Sequence, residues 1–567
     1  GHDGISPVML KHMGPSGIAF LTKIFNQVIN TAIIPSNWKT GRIIPILKPG
    51  KPADEGKSYR PITLLSPAIK ILERIILPDI AAAVPLAEHQ HGFRKGHSTI
   101  TAVNEITNHI SIGLNKKKPV DRTVLVALDL TAAFDTVSHE ILLLDIQDLQ
   151  LNSRYKKFLA SYLNGRQVYT EFRGCRSKFR IVTQGVPQGG VLSPLLFNLY
   201  MSKMPNPPGK VKVFTYADDT TVLNSGPTIP TICAEINPYL DKLETWFTSR
   251  HLQISAAKSQ AAVFTTFSNE ANTILPVSIS GAPIPSTSKP KILGIVMDSM
   301  LNFGQHAADI KKKLSSRNNV LKALTGTTWG KDKEVLTTTY KAIGRSVLNY
   351  GTQVWSPFLS ETNWQVLQNS QNHALRIITG CTKMSQISHL HQETKIIPVK
   401  PHSELLSKQF MRSVYQDTHP NNHHLTQPNP PRLMRTCILN KHKNEVNKYI
   451  TPNVIMDMAK YKEDIRNIHT ETVGTTLAHY PLNKVLMAHP PPINSEERSL
   501  PRATRTKLAQ LRSGYSPFLK NYLYRIGDDN TESNLCPDCN LAEHSTNHLF
   551  DCIMNQTHLT VYDLWNN

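Results

Sequence analysis

The sequence predicts an α/β (α+β) fold in which a sheet is backed by helices, followed by a helical region and a small cysteine-bearing module. Short β-rich runs alternate with amphipathic helical stretches between about residues 120 and 300, whereas the apolar periodicity from about 304 to 395 is helical. The clearest predicted elements are the β-rich runs 124–128, 210–216 and 261–265 and the helices 141–151, 195–201 and 238–248, the last with Asn237 as its N-cap.

The first hundred residues predict a basic, mixed α/β lobe. Helical periodicity covers 18–31, and a strand-like stretch at 41–47 is followed by the turn 48–51. At 567 residues the chain is longer than one core usually spans, so we expect roughly three or four structural units.

Composition and charge favour a nucleic-acid partner. Lys and Arg number 63 against 42 Asp and Glu, a formal net charge of +21, which attracts a polyanion; the alternative is that the charge only aids solubility. No apolar run approaches the roughly 20 residues that cross a bilayer, so no membrane partner is expected. The odd number of cysteines, seven, and a first residue of Gly1 rather than Met predict an intracellular fragment with reduced thiols.

Acidic residues stand where two predicted strands end. The continuous apolar run 124–128 leads into Asp129, as expected of a buried strand. The alternating run 210–216 leads to Asp218 and Asp219 and then returns, which predicts a hairpin with acids at its tip. Carboxylates brought together from distant segments are the ligands that a pair of Mg²⁺ ions needs, so these three are candidate metal ligands.

Each acidic feature taken alone has a simpler interpretation. Asp is common in surface turns, and Asp528 with Asp529 forms such a pair in the same chain. Between the two acidic elements, residues 184–194 form a Gly- and Pro-rich turn that runs into the apolar helix 195–201. That turn is either an ordinary loop-to-helix connection or a place where the backbone approaches a ligand closely.

Three motifs in combination resemble a known family. They are Leu-Asp-Leu-Thr-Ala-Ala-Phe-Asp at 128–135, Gln-Gly-Val-Pro-Gln-Gly at 184–189 and Tyr-Ala-Asp-Asp at 216–219. In this order they resemble the central palm motifs of reverse transcriptases. Flanking matches resemble the jockey-like group of non-LTR retrotransposon polymerases over residues 1 to about 300; they are Asp3-Gly4-Ile5, Tyr59-Arg60-Pro61-Ile62, Gly92-Phe93-Arg94-Lys95-Gly96, 252–258 and Leu293-Gly294-Ile295.

The resemblance implies a right-hand polymerase with an antiparallel palm sheet, fingers and a helical thumb, plus a C-terminal zinc module. The domains it implies are 1–119 for the fingers with an N-terminal extension, 120–300 for the palm, 301–400 for the thumb, 401–495 for a connector of unknown role and 496–567 for a basic region with the zinc module. Linker-like stretches rich in Pro, Asn and His, at 419–424, 428–431 and 490–492, separate the C-terminal module from the rest.

The resemblance also implies roles for the acids. Asp129 and Asp218 would be the principal Mg²⁺ ligands, Asp219 the third acid, and the backbone carbonyl of Leu130 a further ligand. Ser255 stands where many relatives have Asn, a departure that puts the local loop structure in doubt but removes no charged group.

Five side chains are implied to contact the nucleotide or template. Phe134 would be a steric gate, a ring that excludes the ribose 2′-hydroxyl; the alternative is a plain core residue. Lys48 and Arg60 would bind the triphosphate, although either could be a solvated surface cation. Gln188 would touch the nascent base pair or template, and Lys258 would lie near the leaving group.

The helical stretch 310–324 places basic side chains beside apolar ones. Its basic residues are Lys311, Lys312, Lys313, Arg317 and Lys322, and its apolar residues are Ile310, Leu314, Val320 and Leu321. The resemblance makes it a thumb helix whose cations grip the template–primer backbone, a contact that salt should weaken. The alternative is a solvated helix face.

The C-terminal cysteines have the spacing of a zinc site. We expect the ligands to be Cys536, Cys539, His548 and Cys552. His544 is a rival for the third position, because its distance from Cys539 matches a retroviral-type knuckle, but its distance from Cys552 does not. Reduced thiols without a metal are the remaining alternative.

Together these features predict an RNA-directed DNA polymerase (reverse transcriptase) of a non-LTR retrotransposon. It would add dNTPs to a primer 3′-hydroxyl with two Mg²⁺ ions, on an RNA template and a DNA primer or nicked target DNA; nuclear action is implied by the family only. Complete relatives also carry an endonuclease, which this sequence lacks, so we expect polymerisation without cleavage. The alternatives are an inactive or co-opted nucleic-acid-binding remnant and an RNA-templated RNA polymerase, against which Phe134 argues.

Overall fold

The computed structural model describes residues 1–426, 437–450 and 458–566. Contacts divide the chain into two compact units, the first comprising Gly1–Leu293 and the second beginning at Gly294 and holding the later described residues. The predicted linker 428–431 lies outside the described residues. Within the described ranges, no helix has both the length and the apolar character needed to span a membrane.

The first unit combines helices with two main sheets. Its helices are α1 (Pro7–Lys11), α2 (Pro15–Thr31), α3 (Ser36–Lys39), α4 (Pro67–Ala83), α5 (Thr99–Leu114), α6 (His139–Asp148), α7 (Ser153–Leu163), α8 (Ser193–Met201) and α9 (Ile229–Ser249). Its strands are β1 (Thr40–Leu47), β2 (Tyr59–Leu64), β3 (Arg122–Leu128), β4 (Arg166–Phe172), β5 (Cys175–Arg176), β6 (Arg180–Val182), β7 (Lys212–Tyr216), β8 (Asp219–Gly226), β9 (Gln260–Phe264), β10 (Ser278–Ile279), β11 (Ala282–Pro283) and β12 (Lys291–Ile292).

The sheet that matters for the site is antiparallel, with strand order β7-β8-β3-β9. Strand β3 is central, and Val124, Leu125 and Val126 are fully buried, which explains why its sequence is continuously apolar instead of alternating. The predicted strands and hairpin are confirmed. In the register, Leu128 lies opposite Thr220, so the end of β3 meets the start of β8.

The second sheet is mixed and has the order β2-β1-β4-β5, with β6 also paired to β4. Strand β1 pairs antiparallel with β2 and parallel with β4. The predicted strand at 41–47 is therefore confirmed. The β1–β2 hairpin carries Lys48 at the end of one strand and Arg60 on the other.

All four helices predicted in the first unit differ from the structure in their bounds, and α2 and α8 begin earlier than predicted, at Pro15 and Ser193. Helix α6 begins after Ser138, whose side chain caps it by accepting from the Ile141 N–H, and ends at Asp148, not at 151. The prediction that Asn237 is an N-cap is wrong, because α9 begins at Ile229 and runs through both Asn237 and Pro238. Burial of the apolar face of α9 outweighs the roughly 3 kcal/mol that an interior proline costs.

The second unit is mainly helical. Its strand is β13 (Ile295–Val296), and its helices are α10 (Gly304–Leu324), α11 (Lys333–Tyr340), α12 (Ser346–Asn349), α13 (Thr352–Trp355), α14 (Glu361–Thr379), α15 (Ile387–Thr394), α16 (Val399–Val414), α17 (Ile438–Lys441), α18 (Lys443–Asn447), α19 (Met458–Ala478), α20 (Arg502–Ser513), α21 (Lys520–Arg525), α22 (Thr546–Asp551) and α23 (Asp563–Asn566). Helix α10 contains the predicted helix 310–324. Its five basic side chains are exposed, and Val320, expected on the apolar face, is 43% exposed.

Residues from distant parts of the sequence share one core in this unit. Leu321 of α10, Leu336 of α11 and Leu375 of α14 belong to the same buried cluster as Ala509 of α20. The predicted boundary at 400 falls inside α16. The predicted thumb region and the C-terminal region are thus packed together within the second unit.

A buried ion network reinforces that packing. Lys333 Nζ lies 2.9 Å from a Glu393 oxygen and 3.0 Å from a Glu497 oxygen. Arg512 contacts the same two carboxylates, at 3.2 Å and 2.5 Å, and Arg505 Nε lies 3.6 Å from Glu497. The side chains of Glu393, Glu497 and Arg512 are at most 1% exposed, so the network cross-links α11, α15 and α20 away from water.

Candidate active site

Three carboxylates meet at one end of the antiparallel sheet. Asp129 directly follows β3, Asp218 lies in the two-residue turn between β7 and β8, and Asp219 is the first residue of β8. Continuing the β3–β8 register by one residue brings Asp129 opposite Asp219. Residues opposite each other on antiparallel strands have Cα atoms about 4.5–5.5 Å apart. The fold therefore brings together acids that are far apart in the sequence.

The three acids affect one another's charge. Burial, followed by the charge of Asp129, raises the pKa of Asp218. Burial, followed by the charges of Asp218 and Asp129, raises the pKa of Asp219 to about 6. Such repulsion between carboxylates is relieved by a divalent cation that binds oxygen ligands, so the donor set fits Mg²⁺.

The backbone around Asp129 is fixed by the segment that precedes β9. The Asp129 N–H donates to Ser259 Oγ at 3.1 Å, and its carbonyl accepts from the Ser255 N–H at 2.8 Å. The bond from Ser255 uses its backbone, so it does not depend on having Asn at that position. Leu130, whose carbonyl is an expected ligand, is buried beside these contacts.

Phe134 is held by two other rings. It stacks on Phe197 of α8, with centroids 4.3 Å apart and planes 10° from parallel. Phe93 meets it edge-on at 6.1 Å. Phe134 is half-buried and packs against the core, so part of the side chain contacts the core and part of it remains accessible.

The Gly-rich block packs between the loop after β3 and strand β2. The Gly185 N–H donates to the Val137 carbonyl at 2.7 Å, and a Cβ on Gly185, whose φ is +83°, would lie 2.8 Å from the Asp135 carbonyl oxygen. A Cβ on Gly189, whose φ is +133°, would lie 2.5 Å from the carbonyl oxygen of Thr63. Glycine is required at both positions for close backbone approach.

The other expected substrate contacts fall into three places. Gln188 Nε2 donates to Asp135 Oδ1 at 2.9 Å. Lys258 Nζ lies 3.9 Å from Asp129 Oδ2, and the Lys258 side chain is 66% exposed, so it places a solvent-accessible positive charge beside the acids. Arg60 is exposed on β2, and the positive charge of Lys48 acts on Asp135.

The sequence interpretation missed Glu73 of α4. Its Oε2 accepts from the N–H groups of Val191 and Leu192, at 2.6 and 2.8 Å, and thereby anchors the end of the Gly-rich block. The side chain is fully buried, and burial raises its pKa. The sequence could have indicated Glu73, because it lies at helical spacing between Ile69 and Ile76, which are buried. A charged residue on a buried helix face usually has a polar partner.

The structure brings four C-terminal side chains together. Their ligand atoms all lie within 4.8 Å of one another; the residues are Cys536, Cys539, His548 and Cys552. The rival His544 is elsewhere, with its Nδ1 accepting from the Lys520 N–H at 3.1 Å.

The distances within this cluster suit a tetrahedral ion. Cys536 Sγ and Cys552 Sγ are 3.9 Å apart, and Cys539 Sγ lies 3.3 Å from His548 Nε2. Zn–S bonds of about 2.3 Å imply tetrahedral S–S edges of about 3.8 Å. The Leu541 N–H donates to Cys539 Sγ and lowers the pKa of that thiol, which favours the thiolate that a metal requires.

Comparisons with known proteins agree with this geometry. Residues 46–297 match the family model described as reverse transcriptase (RNA-dependent DNA polymerase). The probable RNA-directed DNA polymerase from transposon X-element of Drosophila melanogaster is 32% identical over 70% of this chain and 44% of that protein, and that from transposon BS is 31% identical over 70% and 45%. The RNA-directed DNA polymerase from mobile element jockey of Drosophila funebris is 28% identical over 74% and 46%.

The chain thus spans less than half the length of these relatives. The matched segment contains both acidic elements, the Gly-rich block and the whole antiparallel sheet. It has the right-hand polymerase fold with mixed sheets. Residues 46–297 thus match the reverse transcriptase family model, and the chain is similar to the RNA-directed DNA polymerases of the X-element and jockey transposons.

Proposed function

We propose that this chain copies an RNA template into DNA by adding dNTPs to a primer 3′-hydroxyl. The observation that carries the proposal is the convergence of Asp129, Asp218 and Asp219 at one end of the antiparallel sheet. Two Mg²⁺ ions held there would activate the hydroxyl and neutralise the leaving pyrophosphate. The carbonyl of Leu130 is proposed as an additional oxygen ligand.

The remaining side chains position the nucleotide. Phe134 is fixed from one side by Phe197, so its accessible side can occupy the space that a ribose 2′-hydroxyl would need. Lys48 and Arg60, on the β1–β2 hairpin, supply positive charge for the triphosphate. Gln188, oriented by Asp135, faces the nascent base pair, and Lys258 can reach the leaving group from its place beside Asp129.

The second unit is proposed to hold the nucleic acid. The exposed cations of α10 suit the phosphate backbone of a template–primer duplex. We propose that Cys536, Cys539, His548 and Cys552 bind one structural Zn²⁺. The names fingers, palm and thumb, and a DNA primer or nicked target DNA as partner, belong to the same proposal.

Primer extension tests the function directly. A labelled DNA primer on an RNA template is offered dNTPs or rNTPs with Mg²⁺, for wild type, Asp218→Ala and the control Asp529→Asn, which alters an exposed acid of the C-terminal loop. We expect DNA product from wild type and the control, and a loss of at least roughly 100-fold in Asp218→Ala.

Each alternative gives a different result. DNA product that persists unchanged in Asp218→Ala would exclude this site. The absence of product from wild type would favour a nucleic-acid-binding remnant, and preferred use of rNTPs would favour an RNA polymerase.

A further inference from the structure

The turn that carries the acids has a strained backbone. Tyr216 pairs with Asp219, so Ala217 and Asp218 form a two-residue hairpin turn. Ala217 has a φ of +59°, in the left-handed region that residues other than glycine rarely adopt. Such a conformation persists only where the surroundings fix it, so the contacts of Ala217 decide where Asp218 lies.

A segment before α5 supplies those contacts. The N–H of Thr215 donates to the His89 carbonyl at 2.9 Å, and the N–H of His91 donates to the Thr215 carbonyl at 2.8 Å. Gln90 thereby lies alongside β7 in parallel register. This segment extends the sheet at the hairpin itself.

The side chain of Gln90 links this segment to the turn at Ala217. Its Oε1 accepts from the N–H of Ala217 at 3.2 Å and from the N–H of Gly92 at 2.8 Å. Gln90 is 4% exposed, so water cannot readily replace these bonds. One amide oxygen therefore joins the strained turn to the neighbouring segment.

Gly92 is itself held in place. A Cβ at this position would lie 2.3 Å from the Ala217 nitrogen, so only glycine permits the approach. Its carbonyl accepts from Asn198 Nδ2 of α8 at 2.9 Å, and Asn198 is 2% exposed. The chain of contacts runs from α8 through Gly92 and Gln90 to Ala217.

We infer that Gln90 is a positioning residue for the metal site: it fixes the turn at Ala217 and so the location of the Asp218 carboxylate. Gln90 does not touch the reacting atoms. This inference rests on the proposed function of Asp218 as a metal ligand.

The test compares Gln90→Met, which keeps the length but loses the acceptor, with Gln90→Glu, which keeps an acceptor. Asn237→Ala is the matched control, because it removes another bond between a side-chain amide and the backbone, to the Pro276 carbonyl of the first unit. The measurements are the Mg²⁺ concentration for half-maximal extension, template–primer Kd, melting temperature and Mn²⁺ binding by calorimetry.

We expect Gln90→Met to raise the half-maximal Mg²⁺ concentration and weaken Mn²⁺ binding by roughly 10-fold, with template–primer Kd within about 2-fold. Gln90→Glu should recover most of the loss, and Asn237→Ala should change only the melting temperature. An unchanged Mg²⁺ requirement in Gln90→Met, or the same change in Asn237→Ala, would overturn the inference.

The Mn²⁺ measurement separates this inference from the proposed function. If wild type extends no primer but binds Mn²⁺ in an Asp218-dependent manner, the polymerase proposal fails and Gln90→Met still decides the positioning role. If wild type binds no Mn²⁺ at Asp218, the positioning role is refuted as well.

Discussion

Replacing Glu393 with Gln tests whether the second unit depends on its buried ion network. Glu393 contacts Lys333 and Arg512, and its side chain is 1% exposed. The substitution keeps the shape but removes the charge. The buried cations Lys333 and Arg512 then have one carboxylate fewer to balance their positive charge.

The magnitude follows from the electrostatics of the site. Desolvation would raise the pKa of Glu393, but the combined attraction of Lys333 and Arg512 outweighs it and lowers the pKa to about 2 from an ordinary 4.5. That difference corresponds to about 3 kcal/mol of folding free energy. Breaking a buried ion pair by removing one partner typically costs 3–5 kcal/mol, which is consistent.

The stabilisation has a defined pH dependence. Because the pKa of Glu393 is lower in the folded chain than in the unfolded chain, its contribution is complete above about pH 4.5 and is lost as the pH falls toward 2. The difference between wild type and Glu393→Gln should therefore be about 3 kcal/mol at pH 7 and should shrink as the pH falls through this range.

Urea unfolding at several pH values measures this difference. Hydrogen exchange shows which part of the chain is destabilised. In Glu393→Gln, peptides from α11, α15 and α20 should exchange up to roughly 100-fold faster than in wild type at pH 7, while the exchange of peptides from β3 and β8 should not change. Glu361→Gln is the control, because Glu361 is 80% exposed and its partner Lys400 is 40% exposed. This surface ion pair should contribute about 1 kcal/mol or less to the free energy of unfolding. A loss in Glu393→Gln no larger than in this control, or no dependence on pH, would show that the charge of Glu393 does not stabilise the second unit.

Three further changes have defined outcomes. His548→Gln should lower the bound zinc from one equivalent to none, whereas His544→Gln should retain it; metal analysis of both proteins checks this, and equal retention would contradict the ligand choice. Phe134→Val should raise the incorporation of rNTPs relative to dNTPs by roughly 10-fold or more in single-nucleotide extension, and an unchanged ratio would restrict the ring to a core role. Glu73→Leu should destabilise the first unit by about 2–3 kcal/mol in urea unfolding, because the N–H groups of Val191 and Leu192 lose their acceptor; a loss below about 0.5 kcal/mol would be inconsistent with that anchoring.

Local sequence patterns were sufficient to predict features that depend on a single strand or hairpin. The apolar run before Asp129 predicted a central strand because a strand with neighbours on both sides has no polar face. The Tyr-Ala-Asp-Asp turn predicted a hairpin because alternating residues flank it. Zinc-ligand spacing likewise anticipated which histidine lies among the cysteines.

Local sequence patterns gave wrong or incomplete predictions where tertiary packing outweighs the local conformational preference of the residues. Asn237 and Pro238 resemble a helix start, yet the buried face of α9 carries the helix through them. Glu73 and Gln90 act through backbone groups far away in sequence, which no spacing rule identifies. The packing of Ala509 with Leu321 could not be foreseen either, because the Pro-rich stretches between them indicate separate modules.

We propose that carboxylates from two separate chain segments form one polymerase site. Substituting Asp129 tests this, since Asp129 directly follows β3 and is not part of the Asp218–Asp219 hairpin. The measurement is the rate of single-dNTP addition to a DNA primer on an RNA template with Mg²⁺, for Asp129→Asn beside wild type and Asp529→Asn. The predicted result is a loss of at least roughly 100-fold in Asp129→Asn alone, and a rate within 2-fold of wild type would contradict the claim.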